Sequence, residues 1–252
     1  VKFAAFVAVG AAVALALSAA PSASSAPPPG KPLAGVVIAL DPGHQLGNAN
    51  PQFRTQLSRT HFNGYITKGC NTTGTATNGG YPEATLNWVV AKKVKKRLRS
   101  LGATVKMTRN SNSWNAWGPC VDTRGRFGAK VGADLLVSIH ADGASSTGSG
   151  FYIMVPASIP GWTDRTAGPS LQMGQRFVQG MAGAGAPRST YITGQILVTR
   201  EISTLNFSRV PAILVEMGNM RNASDAARMT SPAGRKRYAD WFLAGIRAAL
   251  QR

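Results

Sequence analysis

The sequence predicts one α/β domain, built as a mostly parallel twisted sheet of about six strands with helices on both faces. Two observations predict it. Largely apolar runs of strand length (Val36 to Leu40, Asp134 to Ile139, Pro211 to Val215) alternate with longer amphipathic stretches of helical period. Runs that are continuous, with no polar alternation, mark strands buried on both faces, as a covered parallel sheet requires. No internal repeat breaks the pattern, and 252 residues at 44% hydrophobic and 15% charged suit one domain with a substantial core. Collagen-like, coiled-coil and multipass membrane classes are excluded.

Lys2, then the apolar run Phe3 to Leu17, then small residues, has the layout of a secretory signal peptide. Residues 1–26 are therefore set apart from the domain, with cleavage fitting after Ala20, Ala23 or Ala26. The apolar run is short for a bilayer span, so no stable membrane anchor is expected. A Pro/Ser-rich linker covers 27–34, and the domain proper occupies 35–252. Export points to a secreted, periplasmic or cell-wall location. In such an oxidising compartment the only two cysteines, Cys70 and Cys120, read as one disulfide. A catalytic or metal-binding thiol is the alternative, but neither cysteine has a CxxC or Cys/His neighbourhood.

The first strand, Val36 to Leu40, stops at the turn signal Asp41-Pro42-Gly43 and delivers His44 at its carboxyl end. Residues 48–80 are polar and rich in Gly, Thr and Asn, long for a plain connection and expected to be a functional or stapled loop. From Glu83 to Ser100 the apolar residues Leu86, Val89, Val90, Val94, Leu98 and Leu101 fall at helical spacing, with Lys and Arg filling the other face and Gly102 closing the helix. Thr104 to Thr108 alternates as a strand, Asp122 to Val131 reads as a helix, and the strand Asp134 to Ile139 delivers His140. A strand at Gly150 to Val155, a helix at Ser170 to Met181, the strand Pro211 to Val215 ending at Glu216, and a helix from Pro232 to Leu250 complete the chain.

Ligands of open α/β sheets gather beyond the carboxyl ends of the strands. His44, His140 and Glu216 are expected there, and Glu83, just after Pro82 at a helix start, can reach the same edge. Two His and one Glu make a set suited to tetrahedral zinc, one ion per chain, with one position open to water. Zinc brings the pKa of such a water towards about 7, and a nearby carboxylate can take its proton and pass it to a leaving amine. Glu216 is the candidate for that base and acid; its alternative is a salt bridge to Arg209 or Arg221. Asp41 and Asp142 flank the proposed ligands, either as hydrogen-bond partners of a ligand imidazole or as turn formers. His61 and Glu201 stay unassigned. Trp114, Trp117 and Trp162 read as core aromatics, with a glycan or peptide groove as the alternative. Against a serine hydrolase stands the absence of any GxSxG.

The quoted segments also resemble a known family. Ala39-Leu40-Asp41-Pro42-Gly43-His44, Tyr81-Pro82-Glu83, Ser138-Ile139-His140-Ala141-Asp142 and Pro211 to Asn219 followed by Asn222 occur in the order found in zinc-dependent N-acetylmuramoyl-L-alanine amidases. The resemblance runs from about Gly35 to the C-terminus and is close to the single-domain mycobacterial type, two cysteines included. It implies His44, Glu83 and His140 as zinc ligands and Glu216 as the catalytic carboxylate. The implied reaction cleaves the amide between N-acetylmuramic acid and the L-Ala of the stem peptide, on peptidoglycan or muropeptide fragments, by a monomer. Asn219 departs from the family pattern, where many relatives carry an aromatic, so altered packing beside the site is expected. The net charge of +18 then suits an acidic wall polymer; nucleic acid is disfavoured by export and by the lack of a binding module. A catalytically inactive basic wall-binding protein is the competing reading.

Overall fold

Five of the six residues of the first strand, β1 (Val37–Pro42), are buried, as expected of a strand with neighbours on both sides and helices on both faces. The computed structural model describes residues 1, 2, 4 and 30–252. The export segment expected over 1–26 lies outside the described residues except for 1, 2 and 4, and so do residues 27–29 of the linker. After β1 come a short helix α1 (Arg54–Leu57), the hairpin β2 (Thr60–Phe62) and β3 (Thr67–Gly69), α2 (Glu83–Ser100) and β4 (Thr104–Met107). Then follow α3 (Val121–Lys130), β5 (Leu135–Asp142), β6 (Tyr152–Pro156), α4 (Ala167–Gly183), β7 (Ile196–Thr199), α5 (Ser203–Asn206), β8 (Ala212–Asn219), α6 (Ala223–Thr230) and α7 (Pro232–Leu250).

Six strands form one sheet in the order β4-β1-β5-β8-β6-β7. The first four run parallel; β6 is antiparallel to β8, and β7 is parallel to β6. Alternate side chains divide the core into two layers, as the period-2 geometry of strands dictates. Ile38, Leu40, Leu135, Val137, Ile139, Ile213 and Val215 belong to the larger layer, with Leu86, Val90 and Val94 of α2, Phe177 of α4 and Phe242 of α7. Ala39, Leu136, Ala212 and Leu214 belong to the smaller one, against Phe127 of α3 and Leu205 of α5. The sheet is thus covered on both faces.

The helices begin and end where local chemistry says they should. Asn222 accepts from the amides of Ser224 and Asp225 to cap α6, and Ser231 accepts from Gly234, ahead of Pro232, to cap α7. Along α2, Leu86, Val90, Val94 and Leu98 are wholly buried, each worth about 2 kcal/mol of burial, so a Lys at Val94 would break the packing of this helix on the sheet.

Three expectations need adjusting. The strands expected to end at Ile139 and Val215 continue to Asp142 and Asn219, so His140 and Glu216 lie inside paired strands, as neighbours in register. The loop at 48–80 contains α1 and the β2–β3 hairpin, and Cys70, at the end of that hairpin, is disulfide-bonded to Cys120. The edge strand β7 and the helix α6 have no counterpart in the sequence reading. Among the described residues no helix is long and apolar enough to cross a membrane.

Candidate metal centre

Three elements bring His44, Glu83 and His140 together: the turn after β1, the first residue of α2 and the interior of β5. Their ligand atoms all lie within 4.8 Å of one another. Glu83 stands between the two rings, its Oε2 3.2 Å from His44 Nε2 and its Oε1 3.0 Å from His140 Nδ1. The imidazoles meet edge to face, with centroids 4.8 Å apart.

His44 and Glu83 are held from behind. His44 Nδ1 donates to the Thr72 carbonyl at 3.0 Å, which leaves the Nε2 lone pair for the site. Glu83 accepts from the Thr75 amide on Oε2 and from Asn87 Nδ2 and the Ala141 amide on Oε1. His44 itself takes a left-handed backbone, φ 59°, the kind of strain that persists only where surroundings impose it. Two glycines make room. A Cβ on Gly43 would run into the His140 ring, and one on Gly74, where φ is already +76°, would sit 2.5 Å from Glu83 Oε2 and 2.7 Å from His44 Cδ2.

Two arginines that sequence reasoning missed tie these segments together. Arg109 donates to the carbonyls of Pro42, Gly43 and Ala84, joining the His44 turn to the start of α2 beside Glu83. Burial lowers its pKa to about 9, against a gain from Asp41. Arg124 donates to Asp41 Oδ1 (2.6 Å), to the carbonyls of Pro42 and His44 (2.9 and 2.7 Å), and to that of Pro119 (2.9 Å), next to the disulfide. The one signal for Arg124 is its place on the inward face of α3 beside Gly125 and Gly128, small residues that leave room for a buried guanidinium.

Asp41 therefore serves the site through the backbone and not through a ring. Its fully buried carboxylate bonds Thr108, Ser138 and Arg124 in place of an imidazole. Burial opposes its charge, but Arg124 and the two hydroxyls outweigh it and hold its pKa below the usual value. Asp142 likewise turns to other partners, accepting from the hydroxyls of Tyr152 and Tyr191 at 2.9 and 3.0 Å. Asn219 is buried and donates to the carbonyls of Ser145 and Gly148, fastening the loop that follows β5.

Glu216 faces the cluster from β8. Its Oε2 is shut off from solvent and has no hydrogen-bond partner among the described residues. Neither arginine named as a salt-bridge alternative pairs with it: Arg209 donates to the Trp162 carbonyl and Arg221 to Asn78 Oδ1. Burial, then the charges of Glu83 and Asp142, push its carboxyl well above the ordinary range. Glu83 shifts the other way. Burial opposes its charge, but His44 and His140 outweigh it and hold Glu83 well below the ordinary value. Of the rings, His44 is raised because Glu83 overcomes its burial, whereas His140 is lowered because burial prevails.

A cavity of about 270 Å³ opens on His44 and His140 and is lined on its far side by Lys68, Asn71, Glu201 and Ser203. Glu201, unassigned by sequence, thus shares this cavity with the two histidines. His61 lies 3.7 Å from Asp122 in a second group with Cys120, whose sulfur is committed to the disulfide. Trp162 packs edge to face on Phe207 and on the exposed Phe62 but is only half-buried and lies outside both core layers, and Trp117 is half-buried too. Trp114, however, is 48% exposed.

A family model described as N-acetylmuramoyl-L-alanine amidase matches residues 38–248. The chain belongs to this family. It is 36% identical over 233 residues to the N-acetylmuramoyl-L-alanine amidase Rv3717 of Mycobacterium tuberculosis, covering 92% of this chain and 93% of that one. Crystal structures of the amidase Ami1 superpose with a TM-score of 0.79 for both the Mycobacterium smegmatis and the Mycobacterium abscessus protein. The first is 37% identical and covers 87% of this chain and 98% of its own; the second is 38% identical and covers 86% and 100%. The α/β architecture is thus that of amidases, and the chain is an amidase by family.

Proposed function

We propose that this amidase is an exported zinc enzyme in which His44, Glu83 and His140 hold one zinc ion and Glu216 carries the protons of the reaction. One observation carries the reading: two imidazole nitrogens and a carboxylate converge within 4.8 Å, and Glu216, the register neighbour of His140, has a buried oxygen without a partner among the described residues. That donor set fits zinc, which takes two His and one Glu in catalytic sites and leaves a position open. Zinc held there by His44, Glu83 and His140 would supply Lewis-acid activation of the scissile carbonyl and of the attacking water. The chain's residues do the rest. Glu216, with its pKa raised by burial and by the charges of Glu83 and Asp142, is suited to accept a proton from the attacking water and return it to the departing L-Ala nitrogen. Glu83, held by three donors from Thr75, Asn87 and Ala141, stays anionic and fixed. The Arg109 and Arg124 contacts hold the His44 turn in register with α2 and β5, so that the reacting groups meet without reorganisation.

The bond cleaved joins the lactyl group of N-acetylmuramic acid to L-Ala, in peptidoglycan or muropeptide fragments. Residues 1–26 are the export signal, 27–34 a linker and 35–252 the catalytic domain, which acts as a monomer outside the cytoplasm or in the wall. The net charge, +17 once Lys2 leaves the +18 chain with the export signal, draws the protein to that acidic polymer. The test is hydrolysis of a muramyl peptide by purified protein with and without a chelator, read as the freed L-Ala amine. Loss on chelation and recovery with zinc are expected; undiminished hydrolysis after complete zinc removal overturns the proposal. Glu216→Gln should keep one zinc per chain and lose about 10²-fold or more in kcat. A near-normal rate would take Glu216 out of this role.

A further inference from the structure

We infer that a second cavity beside the metal centre, walled by the exposed indole of Trp114, binds a sugar ring of the substrate's glycan strand. This rests on the amidase reading above and adds a direction to it. A muramyl amide has two arms that diverge from the scissile bond, a hydroxylated N-acetyl sugar and a peptide carrying carboxylates and amines. Two cavities adjoin the metal centre, and their chemistries differ in the same sense.

The first, already described, presents Lys68 and Glu201, charges of both signs that suit a peptide. The second, of about 410 Å³, is lined by Leu46, Thr73, Gly74, Thr75, Trp114 and Arg221 among others, with no carboxylate in its wall. Segment 72–75 is the partition between them, because Thr72 lines the first cavity while Thr73, Gly74 and Thr75 line the second. At Gly74 that partition is bare backbone lying directly against Glu83 and His44. A substrate whose amide sits at the metal centre therefore has one cavity on either side of this segment for its two arms.

Trp114 is the feature that fold and chemistry leave unexplained. Trp162 packs on two phenylalanines, Trp241 donates to the Ala184 carbonyl, and Trp88 lies under Lys92 and Arg109. The Trp114 indole is instead 48% exposed, on a backbone that is firmly held. Its carbonyl accepts from Asn50 Nδ2 at 3.1 Å, and the preceding Ser113 carbonyl accepts from the Gly47 amide at 2.9 Å. A large aromatic kept in water on a fixed backbone is a preformed binding surface. An indole face matches the C–H face of a pyranose, and the hydroxyls of Thr73 and Thr75 with the Arg221 guanidinium can bond ring hydroxyls and the acetamido carbonyl.

The test titrates the zinc-loaded full chain with a neutral N-acetylglucosamine tetramer and, separately, with a free L-Ala-containing stem peptide, by calorimetry. The wild type should bind both. Trp114→Ala should weaken the tetramer by about tenfold, and Trp114→Phe by much less, while peptide binding stays unchanged. Arg221→Ala should also weaken the tetramer, and Glu201→Gln should leave it untouched and weaken the peptide. A wild type that does not bind the tetramer, or a Trp114→Ala protein that binds it as well as wild type, overturns the inference. So does a Trp114→Ala protein that loses the peptide instead, since the cavity would then hold the other arm. Hydrolysis of a muramyl peptide by the wild type, assayed in parallel, reports separately on the amidase reading.

Discussion

Replacing Arg124 by Met should both unfold the protein more easily and loosen its hold on zinc. The side chain is 2% exposed and makes four hydrogen bonds, one to the buried Asp41 carboxylate and three to the carbonyls of Pro42, His44 and Pro119. Methionine fills much of the volume but donates nothing. Stranding one partner of a buried ion pair costs about 3–5 kcal/mol; Thr108 and Ser138 still donate to Asp41, so the lower end applies. The three carbonyls add about 1 kcal/mol each where water cannot reach them. A total of about 6 kcal/mol lowers Tm by about 18 °C for a domain of this size. Thermal and urea unfolding followed by far-UV circular dichroism measures it. Zinc affinity, by competition with a chromophoric chelator, should fall by about 10–100-fold, because the His44 carbonyl no longer anchors a strained backbone. Arg124→Lys keeps the charge but lacks the fork that spans Asp41 and the carbonyls, so it should fall between. If Arg124→Met unfolds within about 1 kcal/mol of wild type and binds zinc equally well, the clamp is not what holds the His44 turn.

Three further outcomes are expected. Asp41 has a depressed folded-state pKa, so its stabilisation is complete above its unfolded value near about 4 and is lost as pH falls through the lower folded value. Urea midpoints of the wild type should therefore drop steeply below about pH 4, and Asp41→Asn, less stable at neutral pH, should show a shallower drop; parallel curves would contradict this. Gly74→Ala should lower zinc affinity by about tenfold or more, since its Cβ meets the Glu83 carboxylate in a backbone with φ +76°; an unchanged titration would show that the loop can move aside. Cys70→Ser opens a bridge of sequence separation 50, worth about 4 kcal/mol in the chain-entropy model. The native thiols should resist alkylation until reduced, which mass spectrometry detects directly.

The central strands were legible because burial on both faces leaves its mark in sequence. β1, β5 and β8 lie side by side in the sheet and read as apolar runs. Their last residues did not, because polar side chains such as His140, Asp142, Glu216 and Asn219 look like loop until a partner strand is known. β7 escaped for the opposite reason: at the sheet edge it exposes Leu197 and Val198, so neither alternation nor a continuous run survives in four residues. The β2–β3 hairpin has three residues per strand, too few for any periodicity. Arg109 and Arg124 could not be read as buried, since an arginine in a polar loop or an amphipathic helix ordinarily belongs to the solvated surface. What puts them inside is the number of backbone carbonyls at this sheet edge that need donors, a property of the assembled fold alone.

That same accounting separates the two glutamates, which composition treats alike. Glu83 meets five groups: two imidazoles, the amides of Thr75 and Ala141, and the Asn87 side chain. Three of these are donors that favour the charged carboxylate and hold it in one orientation, as a ligand must be, and the two imidazoles mark the side on which a metal would sit. Glu216 has one oxygen without any partner among the described residues, in a place where charge is disfavoured. Leaving a buried acceptor unpaired is costly, and the cost is tolerable where that oxygen is occupied by a proton during part of each cycle. The contrast in hydrogen bonding therefore favours Glu83 as the ligand and Glu216 as the proton carrier, and exchanging their environments would exchange their roles. Removing the Glu83 donors tests this: Asn87→Leu should raise the Glu83 pKa and shift zinc binding to higher pH, without moving the pH dependence assigned to Glu216. If instead both limbs of the pH–rate profile move together, the two carboxylates titrate as one unit and the division of labour fails.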